Sequence, residues 1–466
     1  MNLKQLVLFP SIKKGEKSKE GNYRPVSILP IISKIFEKVV YNQVNDFLSA
    51  HNILYDNQSG FRQSFSTDTA LISLCDKIRC DMDKGNVTGI ILLDLQKAFD
   101  TVNHTILLDK LSAIGMDNKS VSWFKSYLTN RGQFVDLAGT LSPKQEINCG
   151  VPQGSILGPL LFLIYVNDMC RVIDNTCNLY LYADDSALAV NGKNILEIES
   201  CLNKNINNIS SWLQENRLSL HLGKTECILF GTRGKLKQQP DLNIVCNGIK
   251  INNTTSVKYL GAILDCYLSG IPMYENTLKK INNSIKFLYR KRSFLCADTR
   301  KLLVNALVQP RFDYASNFWF RAIGKVRQKK LQICQNKCIR FIHNLDNRSH
   351  LEPNHWKSIN ILNVNNRIDY LSVCQMYKMV NGKCPEYLKC LIPKYSHRYN
   401  TRSGDHAIFV PKVGSNGHVS FAYNAIKLWN SLPPKICKAT GIETFKIKCK
   451  SYMFSEVERN HQSHFV

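Results

Sequence analysis

The chain predicts an α+β protein in which a small antiparallel sheet sits among many helices, and three kinds of stretch carry that expectation. Val87 to Leu93 is a continuous apolar run of strand length, as expected of a strand buried on both faces. Leu179 to Val190 alternates around Ala183-Asp184 and reads as a β-hairpin. Elsewhere apolar residues recur at helical intervals, notably at 31–48, at 195–213 and from 271 onward.

In order, Ile32, Ile35, Phe36, Val39, Val40 and Phe47 space a first helix over 31–48. Ser66-Thr-Asp68 can cap a second helix through Ala70, Leu71, Leu74 and Ile78. After the strand at 87–93, helical spacing returns at Ile106, Leu107 and Leu111, at 121–128 and at 157–168. The hairpin's turn lacks Asn-Gly or Gly-Gly, so tertiary context must impose it. A helix through Ile195, Ile198, Leu202, Ile206, Ile209, Trp212 and Leu213 precedes a strand at 225–230. Residues 233–240 read as an exposed loop. Beyond 271, Lys279, Lys280, Lys286, Arg290, Lys291 and Arg292 interleave with Ile281, Ile285, Phe287 and Leu288 in a basic helical pattern.

A chain of 466 residues allows two or three domains, and 44% hydrophobic content allows a proper core. Lys and Arg outnumber Asp and Glu 61 to 36, a formal net charge of +25. That excess suits a polyanionic partner; an ordinary basic surface, or attraction to an anionic membrane, would have the same composition. The stretch from Met1 to Pro10 is too short and broken for a signal peptide. The apolar stretch at 160–166 falls far below the ~18 residues of a spanning helix. The 17 cysteines are scattered without a CxxC pair, and Cys334, Cys338, Cys374, Cys384 and Cys390 lack zinc-module spacing. Reduced, mostly buried thiols are the expectation.

The chemistry concentrates in three acids. Asp94 ends the apolar run Gly89-Ile-Ile-Leu-Leu-Asp94 and opens Leu95-Gln-Lys-Ala-Phe-Asp100. Asp184 and Asp185 lie at the bend of the hairpin. Carboxylates at the ends of adjacent strands are what a two-metal site needs, since each Mg²⁺ takes one or two of them plus phosphate oxygens. Two such ions activate an attacking hydroxyl and stabilise a leaving oxygen, which points to nucleotidyl transfer. Asp100 reads instead as a charge at a helix start or a fold contact.

Tyr182-Ala-Asp-Asp185, Asp94-Leu-Gln-Lys-Ala-Phe-Asp100 and Gly150-Val-Pro-Gln-Gly-Ser-Ile-Leu-Gly-Pro159 occur in the order seen in reverse transcriptases. The wording resembles the non-LTR (LINE-type) retrotransposon enzymes. Asn22-Tyr-Arg-Pro-Val-Ser27 and Gln58-Ser-Gly-Phe-Arg62 resemble that group's fingers motifs. Asn216-Arg-Leu-Ser-Leu-His-Leu-Gly-Lys-Thr225 and Val257-Lys-Tyr-Leu-Gly261 resemble its last palm motifs. The strong match covers about 8–265.

The resemblance implies a right-hand polymerase: fingers at 1–86, palm with remaining fingers elements at 87–270, a helical basic thumb at 271–345, and a mainly helical region of unknown role at 346–466. In that region Tyr399-Asn-Thr-Arg402 and Ala425-Ile-Lys-Leu-Trp-Asn-Ser-Leu-Pro433 resemble stretches downstream of such polymerases. A basic aromatic module there could bind RNA, or form a core around Trp429.

The site implied comprises Asp94, Asp184 and Asp185 as metal ligands for two Mg²⁺, with Mn²⁺ as an alternative. Phe99 resembles the steric gate that excludes a 2′-hydroxyl, and Gln153-Gly154 meet template or nucleotide. Arg62 resembles a fingers arginine gripping triphosphate. Lys224 sits where a lysine could protonate pyrophosphate, or is an ordinary surface lysine. Tyr23 and Arg24 read as fingers structure and template contact.

The implied activity is RNA-directed DNA polymerisation, with an RNA template, a DNA primer or target, and deoxynucleotides as partners, no membrane, and an intracellular setting, nuclear and cytoplasmic. The alternative is an inactive or co-opted remnant that only binds nucleic acid. The family's upstream endonuclease has no counterpart in this stretch, which reads as a truncated copy or one starting at an internal methionine.

Overall fold

A computed structural model describes residues 5–12, 16, 18–19, 23–137, 139–239, 241–393 and 407–462. Lys13-Lys14-Gly15, Asn22 and Tyr399-Asn-Thr-Arg402 therefore lie outside the described residues, as does the side chain of Arg24. The apolar run Val87–Leu93 becomes the middle strand of a five-stranded sheet. Asp185–Gly192 and Glu226–Phe230 flank it, both antiparallel to it. Asn178–Tyr182 pairs outside Asp185–Gly192, completing the expected hairpin, and Asn252–Asn253 lies parallel to Glu226–Phe230 at the other edge. A middle strand is covered on both faces, which is why its sequence is apolar without alternation.

One face of the sheet is filled by the helices Leu157–Val166 and Ile195–Glu215, through Leu161, Phe162, Ile198, Leu202, Ile206 and Ile209. On the opposite face Ile90, Ala187, Ala189, Ile228 and Phe230 share a core with helix Thr67–Asp83 and with the helices Ile271–Tyr289 and Gly324–His343. Ser66 caps Thr67–Asp83 as its sequence predicts, forming a reciprocal capping box with Thr69.

A second sheet joins strands from distant parts of the chain. Gln5–Ile12 pairs antiparallel with Tyr23–Ile28 and parallel with Arg131–Leu137, so the chain's start is held by a segment about 125 residues away. Beneath it the first helix spans Ile31–Ala50. Its periodicity was legible but its buried face was not. Ser33, Glu37, Val44 and Leu48 face inward, whereas Ile32, Ile35, Phe36 and Val39 are 53–61% exposed. The reason is Glu37, whose carboxylate accepts from Tyr127 Oη (2.8 Å) and from the Ile156 N–H (2.6 Å) at the start of Leu157–Val166. A buried carboxylate at a helix N-terminus satisfies orphan donors and the helix dipole, and it turns the apolar stripe outward.

Three further expectations are corrected. Residues 233–240 open with a short helix, Arg233–Leu236, in place of a loop throughout. The helix after Gly154 ends at Val166 and tightens into the 3₁₀ turn Asn167–Val172. Asp100 does not start a helix: it lies in a turn, and the next helix is His104–Ala113, capped by Asn103.

The C-terminal region forms a third core. Trp429 is buried with Tyr377 and Phe445, whose rings lie 4.5 Å apart and nearly parallel, so of the two readings for that tryptophan the structure shows the core. Ile72 of Thr67–Asp83 enters the same core. That helix also docks the region with two carboxylates: Asp76 accepts from the Phe421 and Ala422 N–H groups (3.0 and 2.8 Å), and Asp83 from those of Asn416 and Gly417 (3.0 and 2.8 Å). Burial raises the Asp76 carboxyl above its ordinary range, against the opposing pull of Arg79 and the two N–H groups.

Candidate active site

The register of the sheet brings the three acids together. Leu93 pairs with Ser186 and Tyr182 with Asp185, so Asp94 leaves its strand beside the hairpin turn that carries Asp184 and Asp185. All three line one open cleft of about 1210 Å³ between the two sheets. The backbone on either side is fixed: His221 N–H donates to Asp94 O (2.7 Å) and Gln96 N–H to Ser219 O (2.9 Å). The segment Asn216–Thr225 thus braces Asp94–Asp100, and Lys224 Nζ stands 3.7 Å from Asp94 Oδ2.

The hairpin turn shows what the sequence lacked. Ala183 adopts φ 57°, a left-handed conformation costing a non-glycine residue about 1–2 kcal/mol. Its N–H donates to Gln58 Oε1 (3.1 Å), a contact from the fingers side that supplies the expected tertiary constraint.

Phe99 lies on the cleft wall, its ring stacked on Phe162 at 4.4 Å and edge-on to Phe61 at 6.2 Å. Its carbonyl accepts from Val151 N–H (2.8 Å), so the Gly150–Gly154 segment fixes the height of the ring. Gln153 lines the cleft and donates from Nε2 to Asp100 Oδ1 (2.8 Å), which gives Asp100 its fold contact. Gly154, at φ 120°, approaches Ser27 so closely that a Cβ would stand 2.5 Å from Ser27 O.

Arg62 is not brought into the cleft. Its Nη1 donates to Tyr55 O (2.9 Å) and Gln58 O (3.0 Å), with the guanidinium over the Phe65 ring. Those carbonyls hold it because the residue before it, Phe61, takes φ 53° and turns its own side chain to the cleft instead. Tyr23, Phe61, Lys97 and His221 line the cleft without having been singled out as ligands or contacts to nucleotide, although Tyr23 stood as a template contact. Phe61 and His221 fall inside quoted motifs, but linear sequence does not say which neighbour faces inward. In the basic helical stretch after residue 271, Arg292 is spent on structure, donating to Asn344 Oδ1 and Leu345 O (both 2.8 Å). Lys279, Lys280, Lys286, Arg290 and Lys291 are exposed.

The donor set suits hard divalent cations. It consists of carboxylate oxygens open to solvent in one cleft, the chemistry that Mg²⁺ and Mn²⁺ select. Among the described residues no three His, Cys, Asp or Glu side chains are close enough to hold an ion by themselves. Mg²⁺ does not require that, because it keeps waters and takes substrate phosphate oxygens. Among the described residues, too, no helix is long and apolar enough to cross a membrane.

Residues 12–264, more than half of the chain, match the model of the reverse transcriptase (RNA-dependent DNA polymerase) family, and the protein belongs to that family. Its curated relatives are proteins of non-LTR retrotransposons. It is 28% identical over 340 residues to the "Probable RNA-directed DNA polymerase from transposon BS" of Drosophila melanogaster, covering 71% of this chain and 37% of that protein. It is 27% identical over 330 residues to the RNA-directed DNA polymerase from mobile element jockey of Drosophila funebris, covering 69% and 35%. The chain thus spans little more than a third of the length of these relatives. Among solved structures, telomerase from Candida tropicalis in complex with a fragment of telomeric RNA aligns at TM-score 0.42 and 14% identity, over 78% of this chain and 62% of that one.

Proposed function

We propose that the protein is an RNA-directed DNA polymerase of a non-LTR retrotransposon, adding deoxynucleotides to a DNA 3′-hydroxyl on an RNA template. The observation that carries this is the meeting of Asp94, Asp184 and Asp185 in one cleft whose wall includes Phe99 and Gln153. Asp94 and Asp184 would hold two Mg²⁺ ions with Asp185 in support, and Mn²⁺ would serve the same donors. When bound, such ions lower the pKa of the attacking hydroxyl and neutralise charge on the leaving oxygen.

The chain's own residues supply the rest. The Phe99 ring, backed by Phe162, cannot yield to a 2′-hydroxyl and so selects deoxyribose. Gln153 and the Gly154 backbone shape the wall against which the new base pair forms. Lys224, on the exposed side of Asp94, can carry a proton to departing pyrophosphate. For triphosphate contact Lys97, in the cleft, takes the place expected of Arg62, which instead holds the fingers loop. The exposed lysines of Ile271–Tyr289 would meet duplex phosphates, and the functional division into fingers, palm, thumb and C-terminal region follows the sequence boundaries at 86, 270 and 345. Action inside the cell, in cytoplasm and nucleus, accords with copying RNA into chromosomal DNA.

Primer extension on an RNA template tests this. The wild-type protein should extend with deoxynucleotides in Mg²⁺, and Asp184→Asn or chelation by EDTA should abolish extension. Phe99→Val should raise ribonucleotide incorporation at least tenfold. A wild-type preparation that binds RNA in a salt-sensitive manner but extends nothing would favour a remnant that only binds nucleic acid.

A further inference from the structure

Strand Asn178–Tyr182 has a second neighbour besides its hairpin partner. The fingers segment 57–59 runs alongside it in parallel, with Leu181 N–H donating to Asn57 O (3.0 Å) and Ser59 N–H to Leu181 O (2.7 Å). Between those two bonds stands Gln58, 1% exposed. Its Oε1 accepts from Gly60 N–H (2.9 Å) and from Ala183 N–H (3.1 Å). Its Nε2 is buried and has no partner among the described residues, so the acceptor end of the amide is the end in use. Gly60 completes the fit: a Cβ there would stand 2.5 Å from Ala183 N.

The far side of this segment is held from the C-terminal region. Tyr387, in the short helix Glu386–Lys389, lies with its hydroxyl 3.0 Å from Ser59 Oγ and donates to Thr69 Oγ1 (3.1 Å). Its ring sits edge-on to Phe65 at 5.8 Å, and the guanidinium of Arg62 covers the same Phe65 ring. A hydroxyl bonded to two others fixes position more sharply than packing alone, because both distance and direction are constrained. The route from Tyr387 to the turn runs through Ser59, Gln58 and Ala183, the residue before Asp184.

We propose that Gln58 and Tyr387 are positioning residues of the polymerase centre: Tyr387 clamps Ser59 from the C-terminal region, and Gln58 holds the Ala183 N–H so that the strained turn presents Asp184 and Asp185 to the cleft. The inference rests on the polymerase reading above for its kinetic consequence, but not for its geometry. It gives residues 346–466 a task at the site, although none of the described ones lines the cleft.

The test uses the full chain with Gln58→Met, Gln58→Glu and Tyr387→Phe. Met keeps the volume and removes the acceptor; Glu keeps the acceptor but replaces the unpartnered Nε2 with a second oxygen and an ionisable carboxyl. Phe keeps the ring of Tyr387 and removes the hydroxyl. Two quantities are read for each: kcat and KM for deoxynucleotide in primer extension, and hydrogen exchange at the Ala183 amide.

Gln58→Met should lower kcat at least tenfold with KM within twofold, and exchange at Ala183 should quicken at least tenfold. Gln58→Glu, which keeps an acceptor for the Ala183 N–H, should exchange there more slowly than Gln58→Met, and Tyr387→Phe should show the pattern of Gln58→Met at about threefold to fivefold. Unchanged exchange at Ala183 in Gln58→Met, or an unchanged kcat there, would overturn the role of Gln58. Wild-type values in Tyr387→Phe would overturn that of Tyr387. Should the wild-type chain itself extend no primer, the polymerase reading fails, and exchange at Ala183 alone decides whether the two residues hold the turn.

Discussion

Single residues in this protein do work that depends on atoms far along the chain. Gly154 is one case: at φ 120° and against Ser27 O, it can carry no Cβ without moving the fingers strand that shapes the cleft. Gly154→Ala should cost about 1–3 kcal/mol of strain if the backbone holds, and more of activity if it shifts. Urea unfolding and primer extension together separate these, with activity falling further than stability. Where the candidate residues would gather was legible here, because Asp94, Phe99, Gln153, Asp184, Asp185 and Lys224 sit in motifs that resemble those of reverse transcriptases, and the structure brings all six to one cleft. Arg62 was not legible in the same way. A guanidinium satisfies backbone carbonyls as readily as phosphate, and only the φ 53° turn at Phe61 decides which it meets.

At the level of elements, period was easier to read than orientation. The helix Ile31–Ala50 was evident from its apolar spacing, yet Ile32, Ile35, Phe36 and Val39 of that spacing are exposed, while Val40 and Phe47 pack against the core and Glu37 is buried. A lone glutamate in an amphipathic pattern reads as solvent-facing, and its acceptors' worth emerges only when Tyr127 and Ile156 arrive from other elements. Glu37→Leu would make the pattern look better and the protein worse. Each donor left buried without an acceptor should cost about 1–3 kcal/mol, visible as a lower urea midpoint with an unchanged slope. The hairpin at Asn178–Tyr182 and Asp185–Gly192 teaches the converse: the missing turn chemistry at Ala183-Asp184 correctly foretold a constraint from elsewhere, without naming Gln58 as its source.

For the whole molecule, the palm sheet and its order of motifs were readable, and the C-terminal region was not. Its residue types announce no particular role, and its docking uses Asp76 and Asp83, two acids on a helix whose sequence gives no hint of a distant partner. Asp76→Ala should uncouple the third core from the helix Thr67–Asp83. An additional early transition in urea, reported by Trp429 fluorescence, would mark that loss, while a single unshifted transition would show the docking carboxylate to be dispensable. The same arrangement bears on how the protein is made. Asp76 meets the Phe421 N–H across 345 residues, which at roughly 5–20 residues per second leaves it waiting about 20–70 s on the ribosome. Throughout that interval the helix Thr67–Asp83 of the nascent chain leaves Asp76 without its two backbone donors and exposes the apolar side of Ile72. Yield of soluble protein will therefore depend on translation speed and on chaperones that shelter the first half until the last arrives.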